Sequence, residues 1–255
     1  TELDGVRLVT GKTGVDLTRR MRAYARQRVR ELAAEDLSGY VLKKDSPSCG
    51  MDRVKVWGET GMAERNGRGI FAAELTRQFP NMPIEEEGRL HDPRLREHFV
   101  DRVFLYRRVR TLFAGRWTIG GLVAFHTAHK LVLLAHSTKG HLELGRLVAD
   151  AKAYARAELA RRYEDDLMAV VSKPATTARH TNVLQHATGY FKRTLDPASR
   201  QELAEVIEDY RRGLVPLVVP LTLVRHHARH LGVAYLLGQR YLALDSKELR
   251  LRNHV

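Results

Sequence analysis

The chain of 255 residues is 44% hydrophobic, enough to build the cores of one large or two small domains. It has no apolar run near ~18 residues, which excludes a membrane-spanning helix, and its single cysteine excludes a disulfide framework and points to a reducing, cytoplasmic setting. A formal net charge of +13, spread over folded segments and mostly as arginine, points to a polyanionic partner, nucleic acid before an acidic membrane surface.

Val6–Val9 predicts a short strand. Gly11-Lys12-Thr13 misses the spacing of a phosphate-binding loop, because five residues separate Gly5 from Gly11 and no strong strand leads in. A helix is expected over Asp16–Glu35, capped by Asp16 or Thr18, with Met21, Ala25, Val29 and Leu32 as its inner stripe. Its arginines, Arg19, Arg20, Arg22, Arg26, Arg28 and Arg30, form a solvated outer face.

Tyr40–Lys43 predicts a strand, and Val54–Trp57 a second strand-like run. Between them lies Lys43-Lys44-Asp45-Ser46-Pro47-Ser48-Cys49-Gly50. Pro47 pushes Ser46 out of the helical region, and Gly50 permits a sharp turn after the sulfur. A thiol at the mouth of a strand, in such a turn, is placed for chemistry. A helix over Gly69–Phe79, an edge strand over Pro83–Glu86 and a helix over Asp92–Phe113 follow. The last presents Leu95, Phe99, Val103 and Tyr106 on one face. Strands alternating with helices make residues 1–113 an α/β domain with a small, mostly parallel sheet. Ligands of such sheets bind at the C-terminal ends of strands, where the Cys49 loop sits.

Roles within the loop follow from side-chain chemistry. Cys49 is a soft thiolate suited to iron or another thiophilic metal. Ser46 is a hydroxyl near it, able to carry a proton for a bound ring. Ser48 is expected to bond the local backbone. Lys43 or Lys44 either offsets an anionic group or is simply solvated. A covalent Cys49 nucleophile with a histidine base is the alternative.

Residues 114–255 read as an all-α domain. Helices are expected over Leu122–His136, Gly140–Ala149, Ala151–Val171, Thr176–Arg193, Pro197–Gly213, Leu221–Leu231 and Gly232–Leu242. Pro216 and Pro220 argue against a central strand over Leu214–Leu221. Ten of the twelve histidines lie here. His226 and His230 have the spacing of a zinc pair, but Arg225 and Arg229 interleave with them and make a cation site poor. A phosphate-facing patch of Arg225, Arg229 and His230 or His227 is favoured. Lys192 and Arg193 follow Tyr190 and Phe191, rings suited to base stacking. His126 to Lys130 and Thr138 to His141 are expected to form a further polar ridge. Asn182, Gln185 and His186 make a polar stripe without an assigned use.

The motif Lys43-x-x-Ser46-Pro47-Ser48-Cys49-Gly50 resembles the signature of the TudS-type thiouracil desulfidases. Gly14-Val15-Asp16-Leu17-Thr18, Gly67-Arg68-Gly69-Ile70-Phe71 and Ile84-Glu85-Glu86-Glu87 fit the same family. From Phe125 onward the chain is similar to the YbgA-type helical domain, and the combination resembles the RudS-type enzymes. The resemblance implies non-redox removal of sulfur from 4-thiouridine in tRNA, at a 4Fe-4S cluster held by three cysteines. It implies Cys49 as a cluster ligand and Ser46 as catalytic. Two further cysteine ligands and a catalytic glutamate are expected upstream of Thr1, because only the last ligand is present here. The implied partner is tRNA, with Lys130, Lys192, Arg193, Arg225, Arg229 and His230 as RNA contacts. Two other readings stay open: a non-catalytic basic module for RNA or another partner, or a desulfidase of free thiouracil whose helical domain dimerises.

Overall fold

The computed structural model describes residues 5–58 and 61–243. It forms two compact units, Thr1–Arg107 and Arg108–Val255. No helix among the described residues is long and apolar enough to cross a membrane.

The first unit opens with α1 (Thr18–Ala33). The Asp16 carboxylate accepts the Thr18 N–H at 2.8 Å, and hydrogen bonding from the Thr18 side chain, then from this N–H, lowers its pKa. The expected strand Val6–Val9 reduces to a single bridge, Val9 to Asp16, which folds the leading loop back onto the helix start. Ala25, Val29 and Leu32 of the predicted stripe are buried, and Met21 is half-buried.

β1 (Tyr40–Leu42) pairs in parallel with β4 (Ile84–Glu86), Tyr40 opposite Ile84 and Leu42 opposite Glu86. Parallel strands need a long crossover. Here it contains β2 (Val54–Trp57), β3 (Ala63–Gly67) and α2 (Ile70–Gln78). β2 and β3 form an antiparallel hairpin. The hairpin is a departure from the expected sheet: Ala63-Glu64-Arg65-Asn66-Gly67 has no apolar alternation and is exposed but for Gly67, so backbone pairing alone makes it a strand. Leu42, Val54, Phe71, Leu75 and Ile84 are buried in this unit. α3 (Pro93–Phe113) follows β4.

The second unit contains α4 (Ile119–His136), α5 (Thr138–Ala149), α6 (Arg156–Val170), α7 (Thr177–Thr188), α8 (Pro197–Arg211), α9 (Val218–His230) and α10 (Ala234–Leu237). Four of these start on side-chain caps: Thr118, Ser137, Thr176 and Asp196 each accept a backbone N–H of the first turn. Three expected helices are shorter than predicted. Ala151–Ala153, Gly189–Phe191 and Arg240–Leu242 are separate 3₁₀ turns; extended Tyr154 and Ala155 part the first from α6, and extended Gln239 parts the last from α10. Leu131, Leu184, Phe191, Leu203, Ile207, Val224 and Leu236 form the main core. Gln239, 1% exposed, donates to the Thr127 carbonyl at 2.9 Å and accepts the Leu131 N–H at 3.2 Å. One amide thereby fastens the chain after α10 to α4.

The histidines of α4 do not form the expected polar ridge. His129 is 2% exposed, with its ring 4.0 Å from that of Phe125. Its Nδ1–H is donated to the Phe125 carbonyl at 2.8 Å, which leaves Nε2 as a buried acceptor without a partner. His126 lies 3.1 Å from the hydroxyl of fully buried Tyr163 and stacks with His141. His126 is thereby held between His141 of α5 and Tyr163 of α6. Burial, before any neighbouring charge, pushes both His126 and His129 down to about 4.

A lowered histidine pKa means that the unfolded chain takes up protons which the folded rings refuse. Stability is therefore complete above pH 6.5, the ordinary histidine value, and falls as the pH drops from there to about 4. For His129 the loss is on the order of 2–3 kcal/mol. Urea unfolding at a series of pH values should show this slope, and His129→Leu should reduce it, His126 supplying the remainder.

Candidate functional site

The Cys49 loop is built from one tight turn. Asp45 enters it with φ +55°, a left-handed conformation that aspartate tolerates. The Gly50 N–H closes the turn on the Ser46 carbonyl at 2.8 Å. The Ser46 hydroxyl oxygen accepts the backbone N–H groups of Ser48 and Cys49, each at 3.3 Å. With both lone pairs engaged, its own proton is left for the Ser48 hydroxyl, 3.0 Å away. The Ser48 proton then faces the Cys49 sulfur at 3.4 Å. The turn thus orders a chain, O–H to O–H to S, that ends on a half-buried free cysteine.

This reverses two expectations about neighbours. Ser48, expected to bond the local backbone, is the hydroxyl that touches the sulfur. Ser46 takes the backbone N–H groups, because it is the first residue of the turn and its oxygen reaches the donors two and three positions on.

α2 anchors the loop from the other side. Its first turn carries free N–H donors, and those of Phe71 and Ala72 both bond the Ser48 carbonyl, at 2.8 and 3.2 Å. The Gly69 N–H bonds the Gly50 carbonyl at 2.8 Å. A Cβ on Gly69 would overlap the Ser48 carbonyl and come within 2.6 Å of the Cys49 nitrogen, so only glycine permits this approach.

The acidic end of β4 holds the loop's flanks. Glu86, 6% exposed, accepts the Met51 N–H at 2.8 Å. Glu87 accepts the Lys44 N–H at 2.7 Å and pairs with the Lys43 ammonium at 3.1 Å. The backbone bond, before the lysine charge, holds its pKa below the usual carboxylate range. Lys43 makes this pair at the surface while its side chain stays 77% exposed to solvent. Arg68 Nε donates to the Met51 carbonyl at 2.9 Å. Tyr40, expected only as a strand residue, lies close to the site: its ring is 5.9 Å from that of Phe71. Burial, and then Cys49, push its phenol pKa up. Nothing in its sequence context marked it.

An iron–sulfur cluster takes several thiolates. Cys49 is the one cysteine of the chain, and among the described residues no three His, Cys, Asp or Glu side chains converge to hold a metal. These residues supply one thiolate and do not by themselves fit a cluster.

The expected RNA contacts all lie in the helical unit. Lys192 and Arg193 are exposed after the Gly189–Phe191 turn. Phe191 is fully buried and cannot stack a base, and Tyr190 is stacked on Tyr235 at 4.9 Å. Arg229 and His230 are exposed at the end of α9, and Arg225 is half-buried. His226 and His230 have parallel rings 6.4 Å apart. His227 faces inward, 8% exposed, at 6.1 Å from Phe191, so it does not belong to the exposed patch. Lys130 is half-buried on α4, where its charge opposes protonation of His126 and His141.

Residues 1–87, which contain the whole Cys49 loop and the β1–β4 pair, match the family described as 2-thiouracil desulfurase. The chemistry this match supports is that of an enzyme acting on a thiocarbonyl, with desulfuration of thiouracil. Residues 130–245 match the family described as a protein of unknown function, DUF1722. An Escherichia coli (strain K12) protein, described as uncharacterized protein YbgA, is 37% identical over 153 residues, covering 60% of this chain and 90% of the relative. The chain belongs to the family of YbgA and carries a desulfurase-type segment joined to it. No solved structure matches.

The close approach at Gly69 yields a test. Gly69→Ala should lower the stability of the first unit by about 1–3 kcal/mol in chemical denaturation and raise the alkylation rate of Cys49. An unchanged midpoint with an unchanged alkylation rate would show that α2 does not clamp the loop.

Proposed function

We propose that this chain removes sulfur from a thiolated uracil in RNA, 4-thiouridine of tRNA foremost, by hydrolysis. The observation that supports this most is the ordered hydroxyl pair ending on Cys49, inside a segment matched to the desulfurase family. Water adds through oxygen to the thiocarbonyl carbon, and the C=S π electrons move onto sulfur. The C–S bond then breaks, hydrosulfide leaves, and loss of the hydroxyl proton forms the carbonyl. Thiocarbonyl and water thus become carbonyl and hydrogen sulfide, with no change of redox state.

Ser46 and Ser48 hold a proton beside the sulfur site and deliver it to the departing sulfur. Tyr40 and Phe71 bound the site with apolar surface. Cys49 is proposed as one thiolate of a 4Fe-4S cluster, a group that would supply a Lewis acid for the substrate sulfur when bound. The helical unit holds RNA through Lys130, Lys192, Arg193, Arg225, Arg229 and His230.

A second reading, a non-catalytic basic module for RNA, is favoured by the single thiolate. Anaerobic preparation with iron and sulfide, followed by nucleoside analysis of thiolated tRNA, separates the two. Conversion that is lost in Cys49→Ala and lowered about 10²-fold or more in Ser48→Ala supports the enzyme. No conversion, with tRNA binding retained, supports the module. In either case log affinity for tRNA should fall linearly and steeply with log salt.

A further inference from the structure

A cavity of about 300 Å³ opens between α7 and α8, at the turn that joins them. That is the lower end of the range for small-molecule sites, roughly 300–1,000 Å³, and suits a ligand with one ring system rather than an extended cofactor. Phe191, Leu203 and Ile207, 0%, 2% and 3% exposed, close it off from beneath, and Leu195 and the exposed Ala204 are its other apolar lining.

The rim is cationic. Lys192 and Arg200 both line the cavity, and the Arg200 guanidinium donates to the Lys192 carbonyl at 3.4 Å, which draws the two residues to one edge. Neither has a carboxylate partner among the described residues. The one acid at the rim, Glu208, is taken up by Arg211 and Arg212, at 2.6 and 2.8 Å, and these bonds hold its pKa down to about 2. It offers little repulsion to an anion. Gln185, part of the unassigned polar stripe, lines the same cavity and is exposed, so its amide can reach a ligand. An amide both donates and accepts, which matches the edge of a nucleobase.

A cavity of this volume with apolar lining, an exposed amide and two cations at one edge together match a nucleotide. We infer that this cavity takes a single nucleotide, its base within the cavity beside the exposed Ala204, its edge toward Gln185, and its phosphate on Lys192 and Arg200. Resting on the RNA reading above, the occupant is an unpaired residue of the bound RNA, so the helical unit grips a splayed base as well as the backbone.

The test uses the full chain and 5′-UMP as probe, with uridine and inorganic phosphate as controls, beside thiolated tRNA. UMP should bind saturably, and at least roughly tenfold tighter than either control. Ala204→Trp, which fills the cavity from an exposed helical position, and Arg200→Ala should each weaken UMP at least roughly tenfold with an unchanged melting temperature. Gln185→Ala gives a third variant should the tryptophan disturb folding. No saturable UMP binding, or binding equal in Ala204→Trp and Gln185→Ala, overturns the inference. If tRNA binds while UMP does not, the pocket fails and the RNA reading stands. If UMP binding depends on the pocket while tRNA does not bind, the RNA reading fails and the site belongs to a free nucleotide.

Discussion

The bond of the Ser48 carbonyl to the first N–H groups of α2 is the contact on which the candidate site depends. A helix N-terminus has donors that its own backbone cannot satisfy. Here the loop supplies the acceptor, so helix and loop each complete the other. Gly69 allows the two backbones to meet, and Gly50 gives a second bond between the same segments. Once Ser48 is fixed at its carbonyl, its hydroxyl has a defined place between Ser46 and the sulfur. The direction of that small hydrogen-bond chain is then set by the backbone, because the Ser46 oxygen is filled by two N–H donors.

The rest of the first unit serves that contact. β1 delivers the chain to the loop, and β4 lies beside it in parallel, so its acidic end reaches the loop's flanks through Glu86 and Glu87. Polar groups therefore hold both shoulders of the loop while apolar packing holds α2. The buried Glu86 side chain is met by a backbone donor, the Met51 N–H. The sulfur at the centre stays half-buried, accessible to a ligand yet close to Tyr40.

The helical unit is organised by different means. Its helices are started by local caps and joined by short turns, and its core is aliphatic and aromatic. His129 and His227 are interior residues there, and His126 is half-buried. Neutral imidazole rings fill spaces against Phe125, Tyr163 and Phe191, and the positive character is left to lysine and arginine at the surface. That division suits a surface for polyanions, since buried histidines stay uncharged over the range where arginine and lysine remain charged.

Much of this protein was legible in the residues themselves. The turn around Cys49, the parallel strands on either side of a helix, the inner stripe of α1 and the capped helices of the second unit all follow from signals a few residues long. Pro and Gly constrain φ, the helical period selects a face, and Asp196 before Pro197 marks a helix start. Which hydroxyl touches the sulfur, why Gly69 must be glycine, that Tyr40 borders the site, and that His129 and His227 face inward were decided only by packing. So was the cavity that joins Gln185 to Lys192 and Arg200. Each of these depends on groups brought together through space, from both sides of a turn or across tens of residues, and no local propensity carries that information. β3 is the plainest case: its sequence has no strand pattern, and its neighbour's free backbone makes it one.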